Sequence, residues 1–392
     1  MIVSAASTLA SDVEVARRVL AHIDARSTDT GESWREPVRN YTDPARFATE
    51  LQLLRASPSV FGPSAALTVA GDHVARDVFG VPLFAVRDRD GRVHVFRNAC
   101  RHRGAALVDG SGCSRALVCP YHGWTYHLDG SLAHVPHADG FPDLDMSTRG
   151  LVEVSSEEVD GLIVIGAVEP GGPEHETRAE WMEWLRDGSP WRDKLLPSSQ
   201  LLGAASNVLA VNWKVLVEQF LEGYHIRATH RETFFPLQYD NLNVVETFGP
   251  NSRIVYPFRN IERLRDRDES TWRVGHRVTF VYQLFPNVMI ATFPDRVLVV
   301  AVDPIDIGHS TLTVSSLADP TVAAAGAGEV SGGRSLVEQG ATEDNAMSLA
   351  VQRGLASGAN EFVEFGRHES AIGHFHRTLE QRLARTAAAA VR

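Results

Sequence analysis

The sequence predicts an α+β chain of two domains, a small all-β domain followed by a larger one in which an antiparallel sheet is flanked by helices. Three observations carry that reading. Short strand-like runs with turn dipeptides crowd the first part of the chain. In the second part strands and helices fall in separate stretches, without the strand–helix alternation of a parallel sheet. At 392 residues, the chain is long enough to bury two cores. The divisions are placed at 1–54 for an N-terminal helical segment resting on the larger domain, 55–165 for the β domain and 166–392 for the larger domain.

In order, Asp12 and Glu14 sit where a signal peptide would carry its apolar run, so the start reads as a short amphipathic helix. A second helix lies between the prolines at 37, 44 and 58. Strands are expected at Leu67–Ala70, Val81–Val86, Val93–Phe96, Ala116–Val118, Thr125–Leu128 and Leu162–Ile165, with turns at Gly71-Asp72, Asp90-Gly91 and Asp129-Gly130. A boundary is expected at EPGGPEHE, followed by a segment with Trp181, Trp184 and Trp191. Beyond residue 200 come a strand over LLGAASNVLAV, a helix opening at Asn212, and strands between Arg273 and Val302 and over Ser310–Leu317. A mobile loop is expected at TVAAAGAGEVSGG, then helices over Glu343–Arg353 and Glu369–Arg385.

Composition narrows the function. A net charge of -11 argues against nucleic acid and anionic membranes as partners, and no apolar run approaches a membrane span. The three cysteines, Cys100, Cys113 and Cys119, fall in one short segment, which is no disulfide framework. They point to a reducing cytoplasm with thiols used as ligands. Cys100-Arg101-His102 and Cys119-Pro120-Tyr121-His122 are separated by sixteen residues. Two thiolates and two imidazoles suit tetrahedral zinc, or a 2Fe–2S cluster with Cys on one iron and His on the other. Cys113 matches no ligand position and is expected to be a small buried residue. In the Asn212–His230 stretch, Lys214, Glu218, Glu222 and His225 fall on one face if the stretch is a single helix. That face is either solvated or bound to something, and His225 and His230 can share one metal only if the helix ends or distorts between them.

The C-x-H-x16-C-x2-H spacing, with Pro after the second cysteine and Gly-Trp after the second histidine, resembles the Rieske family. With Asn212-Trp213-Lys214, Glu222-x2-His225-x4-His230, Phe285-Pro286-Asn287, Glu343-Asp344 before Gln352-Arg353-Gly354-Leu355, and Gly373-His374-Phe375-His376, most of the chain resembles the large (alpha) subunit of Rieske non-haem iron oxygenases. The resemblance implies a helix-grip-like catalytic domain and a 2Fe–2S cluster on Cys100, His102, Cys119 and His122. It also implies a mononuclear Fe(II) on His225, His230 and Asp344, with Glu343 as the rival carboxylate. Asp344 is expected in the first turn of a helix capped by Thr342. Gly104 and Gly123 are expected to let backbone N–H groups approach the sulfurs.

Where the family commonly has aspartate, this chain has Glu222. The resemblance makes it the bridge from His225 to a Rieske histidine, His122, of the neighbouring subunit in a ring-shaped homotrimer, with or without small beta subunits. A minority branch resembling carnitine-type amine oxygenases carries glutamate here. Glu218 is expected to support the iron ligands; His374 and His376 are expected to be structural, and Arg101 and Lys214 to serve charge balance or the interface. The implied function is a terminal oxygenase, supplied with NAD(P)H electrons by a separate reductase or ferredoxin, that uses O2 on a small organic, aromatic substrate. The alternatives are monooxygenation or demethylation of a small amine such as a quaternary ammonium compound, with Phe220, Tyr224, Phe234, Phe235 and Phe285 available for a cation cage. An electron-transfer iron–sulfur protein and a zinc-stabilised interaction protein are the rivals from other classes.

Overall fold

The computed structural model describes residues 9–169, 191–192, 194–196, 198–320 and 331–390. The expected boundary at EPGGPEHE, Trp181, Trp184 and most of the expected Ala/Gly-rich loop lie outside the described residues. The chain divides into two compact units, residues 54–178 and residues 1–53 with 179–392.

Among its described residues the 54–178 unit is all β apart from the end of helix Pro44–Ala56 and 3-10 turns. Its five-stranded sheet runs in the order Glu153–Val154, Val93–Arg97, Val81–Arg87, Asp72–Val78, Ser111–Cys113. A three-stranded sheet joins Ser156–Val159, Leu162–Ile165 and Ser59–Pro63. A smaller one joins Leu117–Val118, Thr125–Tyr126 and Leu132–His134. The strand expected at Leu67–Ala70 is instead the turn that leads into Asp72–Val78. The carboxylate of Asp72 accepts the N–H groups of Thr68 and Val69, which closes a turn where the apolar run had suggested extension. Phe84, Phe96, Leu117, Trp124 and Tyr126 form the core beneath the two Cys/His loops.

The other unit is built on a seven-stranded antiparallel sheet. Its order is Gln200–Leu209, His309–Ala318, Val297–Asp306, Val288–Thr292, Val278–Leu284, Asn251–Pro257, Val244–Phe248. The last two strands were not foreseen. Asn251–Pro257 is buried at every position, so it shows no alternation to read. Helices Asp12–Ala25 and Ser370–Ala390 lie against the Val244–Phe248 side, the first closed by a capping box between Ser11 and Glu14. The helix expected at Glu343–Arg353 runs from Ser331 to Ala356. Asp344 is therefore in its interior, and Thr342 donates to the Glu338 carbonyl one turn back rather than capping a helix start.

The Asn212–His230 stretch is not one helix. Asn212 caps a short helix over Trp213–Glu218, accepting the Lys214 N–H at 3.0 Å, and a second helix covers only Ile226–Thr229. Lys214 and Glu218 consequently leave the stripe that seemed to join them to His225. Lys214 is fully buried with Glu50, at 2.6 and 2.8 Å, and Trp213 Nε1 donates to the same carboxylate at 3.0 Å. Removing one partner of such a buried pair costs about 3–5 kcal/mol. Glu218 accepts from Tyr41 at 2.6 Å and meets His376 Nε2 at 2.9 Å. Asn212 also donates to the Ile307 carbonyl and takes Gln352 as acceptor for its own N–H. The Asn-Trp-Lys motif thus anchors the helix that leads into the site.

Candidate functional site

In the smaller unit the two Cys/His loops are built by the same turn. Cys100 N–H donates to the Ala105 carbonyl and Gly104 N–H to the Cys100 carbonyl; Cys119 N–H donates to Trp124 and Gly123 N–H to Cys119, all at 2.8–3.0 Å. Each turn needs a positive φ four residues after its cysteine, +82° at Gly104 and +74° at Gly123. The glycine amides themselves bond the cysteine carbonyls, and the backbone N–H group that approaches a sulfur, as expected, is that of His102 at Cys100. The side-chain partner of that sulfur is Tyr126, a residue the sequence did not point to. Its hydroxyl accepts the Arg101 N–H at 2.9 Å, which turns its proton toward Cys100 Sγ at 3.2 Å. Burial, reinforced by the neighbouring Cys100 thiol, holds the phenol well above its ordinary range, so it remains a donor.

Both thiols are buried, whereas His102 and His122 reach outward with their Nδ1 atoms 3.1 Å apart. His102 stacks on Trp124 at 5.0 Å, which fixes its ring plane. A sulfur pair below and an imidazole pair above fit a 2Fe–2S cluster held by Cys on one iron and His on the other. Cys113, expected to be buried, is exposed on the Ser111–Cys113 edge strand.

In the larger unit His225 and His230 flank the four-residue helix Ile226–Thr229, and Asp344 projects from the long helix. Asp344 Oδ1 is 3.0 Å from His230 Nε2 and 3.6 Å from His225 Nε2, and the three donor atoms lie within 4.8 Å of one another. Among the described residues this is the one place where three such donors converge. Glu222 and Glu343 take the other side of each ring. Glu222 bonds His225 Nδ1 and also accepts the Tyr224 and His225 N–H groups, while Glu343 Oε2 holds His230 Nδ1 at 2.8 Å and the Thr233 hydroxyl at 2.7 Å. Each Nδ1 is tied up, so each Nε2 faces the convergence point. Burial would raise the Glu343 carboxyl, but the His230 and Thr233 hydrogen bonds outweigh it and hold the group below its usual range. Burial would lower His225, yet Glu222 and Asp344 raise it, so the carboxylates favour positive charge there. Two imidazoles and one carboxylate on one side of an open space fit a mononuclear ferrous ion.

That space is a cavity of about 560 Å³ between the sheet and these helices. Alternate residues of the strands, including Val281, Leu298, Val300, Leu312 and Val314, line it, as the two-residue period of a strand requires. Phe220, Phe234, Tyr256 and Phe293 supply aromatic surface. Phe234 reaches its place because Gly340 faces it: a Cβ there would come within 2.3 Å of the ring. Of the five aromatics expected around a cation, Phe220 and Phe234 line this cavity. Tyr224 and Phe235 face a separate surface groove, and Phe285 lies in the core against Phe375.

Residues 182–385 match the family profile of the ring hydroxylating alpha subunit (catalytic domain), and residues 58–147 match that of the Rieske [2Fe-2S] domain. The chain belongs to the ring-hydroxylating alpha subunits. As such an alpha subunit it is an oxidoreductase, the terminal oxygenase component of a Rieske system that carries a 2Fe–2S cluster and a mononuclear iron, receives electrons from partner proteins and uses O2. The alpha subunit is 26% identical to chloroplastic choline monooxygenase of Spinacia oleracea over 362 residues, 88% of this chain and 77% of the relative. It is 31% identical to the carnitine monooxygenase oxygenase subunit of Escherichia coli over 202 residues, about half of each chain (51% and 53%). Its fold is that of a quaternary ammonium Rieske monooxygenase (TM-score 0.75, 22% identity, 96% of this chain and 100% of the other). Naphthalene 1,2-dioxygenase from Rhodococcus sp. shares it as well (TM-score 0.73, 18% identity, 95% and 98%). Among the described residues of the alpha subunit, no helix is long and apolar enough to cross a membrane.

The expected supporting roles divide. Glu222 touches His225 as expected, whereas Glu218 touches neither histidine of the site and instead ties Tyr41 to His376. His374 meets the Gly249 carbonyl at 3.1 Å and His376 is wholly buried, both structural positions.

Proposed function

We propose that this alpha subunit oxidises a small quaternary ammonium compound by monooxygenation or demethylation. The observation that carries the reading is the cavity itself: four aromatic side chains face a space whose metal-binding wall also carries the carboxylates of Glu222 and Asp344. Aromatic faces attract a permanent cation that water would otherwise solvate. The choline and carnitine monooxygenases named above, and a glycine betaine monooxygenase oxygenase subunit of Pseudomonas aeruginosa at 30% identity over 234 residues, add weight to it. A second reading, hydroxylation of an aromatic hydrocarbon, draws on the aliphatic wall of Val281, Leu298, Val300, Leu312 and Val314, which suits a flat apolar ring.

In this proposal His225, His230 and Asp344 hold the iron, with Glu222 and Glu343 orienting the two imidazoles, and Cys100, His102, Cys119 and His122 hold the cluster. Bound iron supplies the binding and reductive activation of O2. The chain supplies position and exclusion of water: the sheet and Phe234 wall the cavity, and Glu222 fixes the ring through which electrons would arrive. A homotrimer, in which Glu222 faces His122 of a neighbouring copy, and a cytoplasmic setting belong to the same proposal. So do domains at 55–165 and 166–392 behind the 1–54 segment.

The test is O2 uptake by the holoenzyme with a surrogate reductase and NADH, across methylated quaternary amines and bicyclic arenes. Uptake coupled to product with the amines is expected. Coupling only to arene hydroxylation would replace the first reading with the second.

A further inference from the structure

We propose that Arg296 is the anchor for a carboxylate on the substrate, so that this cavity selects a zwitterion bearing a quaternary ammonium group over the corresponding amino alcohol. The inference rests on the quaternary-amine reading and adds what the far end of the molecule must be.

The sheet places Arg296 at the end of a row that crosses two strands and continues into the turn joining Val288–Thr292 to Val297–Asp306. Tyr256 pairs with Thr279. Phe280 pairs with Thr292, and Thr292 with Val297. Thr279 and Phe293 are the residues next to that Phe280–Thr292 pair, and Phe293 donates its N–H to the Arg296 carbonyl at 2.8 Å. Tyr256, Thr279, Phe293 and Arg296 all line the cavity, as residues on one register line share a face. Among the described lining residues, Arg296 is the one side chain with a permanent positive charge.

Arg296 is nearly buried, and Asp295 holds it by one oxygen alone: Oδ2 accepts from Nε at 3.1 Å and from Nη2 at 2.5 Å. Nη1 has no hydrogen-bond partner among the described residues. Asp295 thus fixes the guanidinium plane and leaves one edge of the fork for a second oxyanion. The neighbouring Thr279 hydroxyl is buried, lines the cavity and has no hydrogen-bond partner among the described residues. A buried ion pair with an unused edge, and an unpaired hydroxyl in the same row, are costly on a wall of valines and leucines unless something polar meets them.

The triad lies on the opposite wall. The ring of His230 meets Phe234 at 4.9 Å, and Phe234 stacks on Phe293 at 6.2 Å, beside Arg296. A molecule with its cationic methyl groups over Phe234 and Phe293 would present a C–H bond toward the triad and an anionic end toward Arg296. The aromatic faces suit the cationic end and the free edge of Arg296 the anionic one, which together complement a zwitterion.

The experiment uses the holoenzyme with a surrogate reductase, and calorimetric binding beside turnover. Its probes are trimethylammonio carboxylates of two to four carbons, their corresponding alcohols (glycine betaine against choline at the short end), and benzoate. Arg296→Gln leaves the Asp295 carboxylate without its guanidinium, so Asp295→Asn/Arg296→Gln, which removes both charges together, is measured beside it. We expect the ratio of the carboxylate's Kd and KM to those of its alcohol to rise about 30-fold in the double variant. An equal shift for acid and alcohol, or no shift for the acid, overturns the anchor. If only benzoate binds, and loses binding in the double variant, the anchor stands and the quaternary-amine reading falls. If no carboxylate binds the wild type, the anchor is refuted.

Discussion

In the cluster-binding region the backbone places the donors, whereas in the iron-binding region other side chains do. Each Cys/His loop is closed by its own amide-to-carbonyl hydrogen bonds, with a left-handed glycine at the same offset from its cysteine. His225, His230 and Asp344 come from two helices more than a hundred residues apart, and their geometry depends on Glu222 and Glu343 holding the far side of each ring. The first arrangement is local and can form wherever the two loops meet. The second exists only when the long helix has docked. The two regions should therefore fail differently.

The largest expected effect separates them outright. His225→Ala should abolish product formation while leaving the Rieske absorption and electron paramagnetic resonance spectra intact; unchanged turnover would break the assignment. Next comes Glu222→Gln. It keeps the shape and a hydrogen-bonding group on His225 but removes the charge. Both metals should remain, with reoxidation of the cluster in a single turnover slowed by about 100-fold or more, since proteins place such partners to tune a ligand. A normal single-turnover rate would sink the bridge.

How much of this could be read from the sequence follows the same division. The Cys/His loops are legible because ligand spacing and glycine offset are both local, but Tyr126 is not, since only the fold brings its hydroxyl to Cys100. At the His225–His230–Asp344 convergence the two histidines are legible, yet the break between two short helices is not: the first helix ends at Glu218, and Lys214 and Glu218 belong to the core. Tertiary packing overrode a 3.6-residue pattern that six helical residues are too few to express. Choosing between Glu343 and Asp344 requires knowing which face of the Ser331–Ala356 helix meets His230, and adjacent helical residues point about 100° apart.

Smaller effects sharpen the contrast. Gly104→Ala meets no atom within 4 Å, so its cost is the left-handed backbone alone, about 1–2 kcal/mol, read as a lowered midpoint for thermal loss of the cluster. An unchanged midpoint would remove the backbone from the account. Tyr126→Phe should lower the cluster's reduction potential by about 40 mV, the one-electron equivalent of a hydrogen bond worth about 1 kcal/mol, as read by voltammetry. A potential that does not move would mean the hydroxyl does not reach the sulfur.

The most direct test of the iron-binding region is iron content in the paired variants Asp344→Asn and Glu343→Gln, each with the Rieske spectrum as an internal standard. Asp344→Asn should keep the two irons of the cluster and lose the third. Glu343→Gln should regain the third at saturating iron, with an affinity about 10–100-fold weaker, as expected for a residue that acts through His230. The reverse pattern, with the third iron kept in Asp344→Asn and lost irrecoverably in Glu343→Gln, would contradict the account.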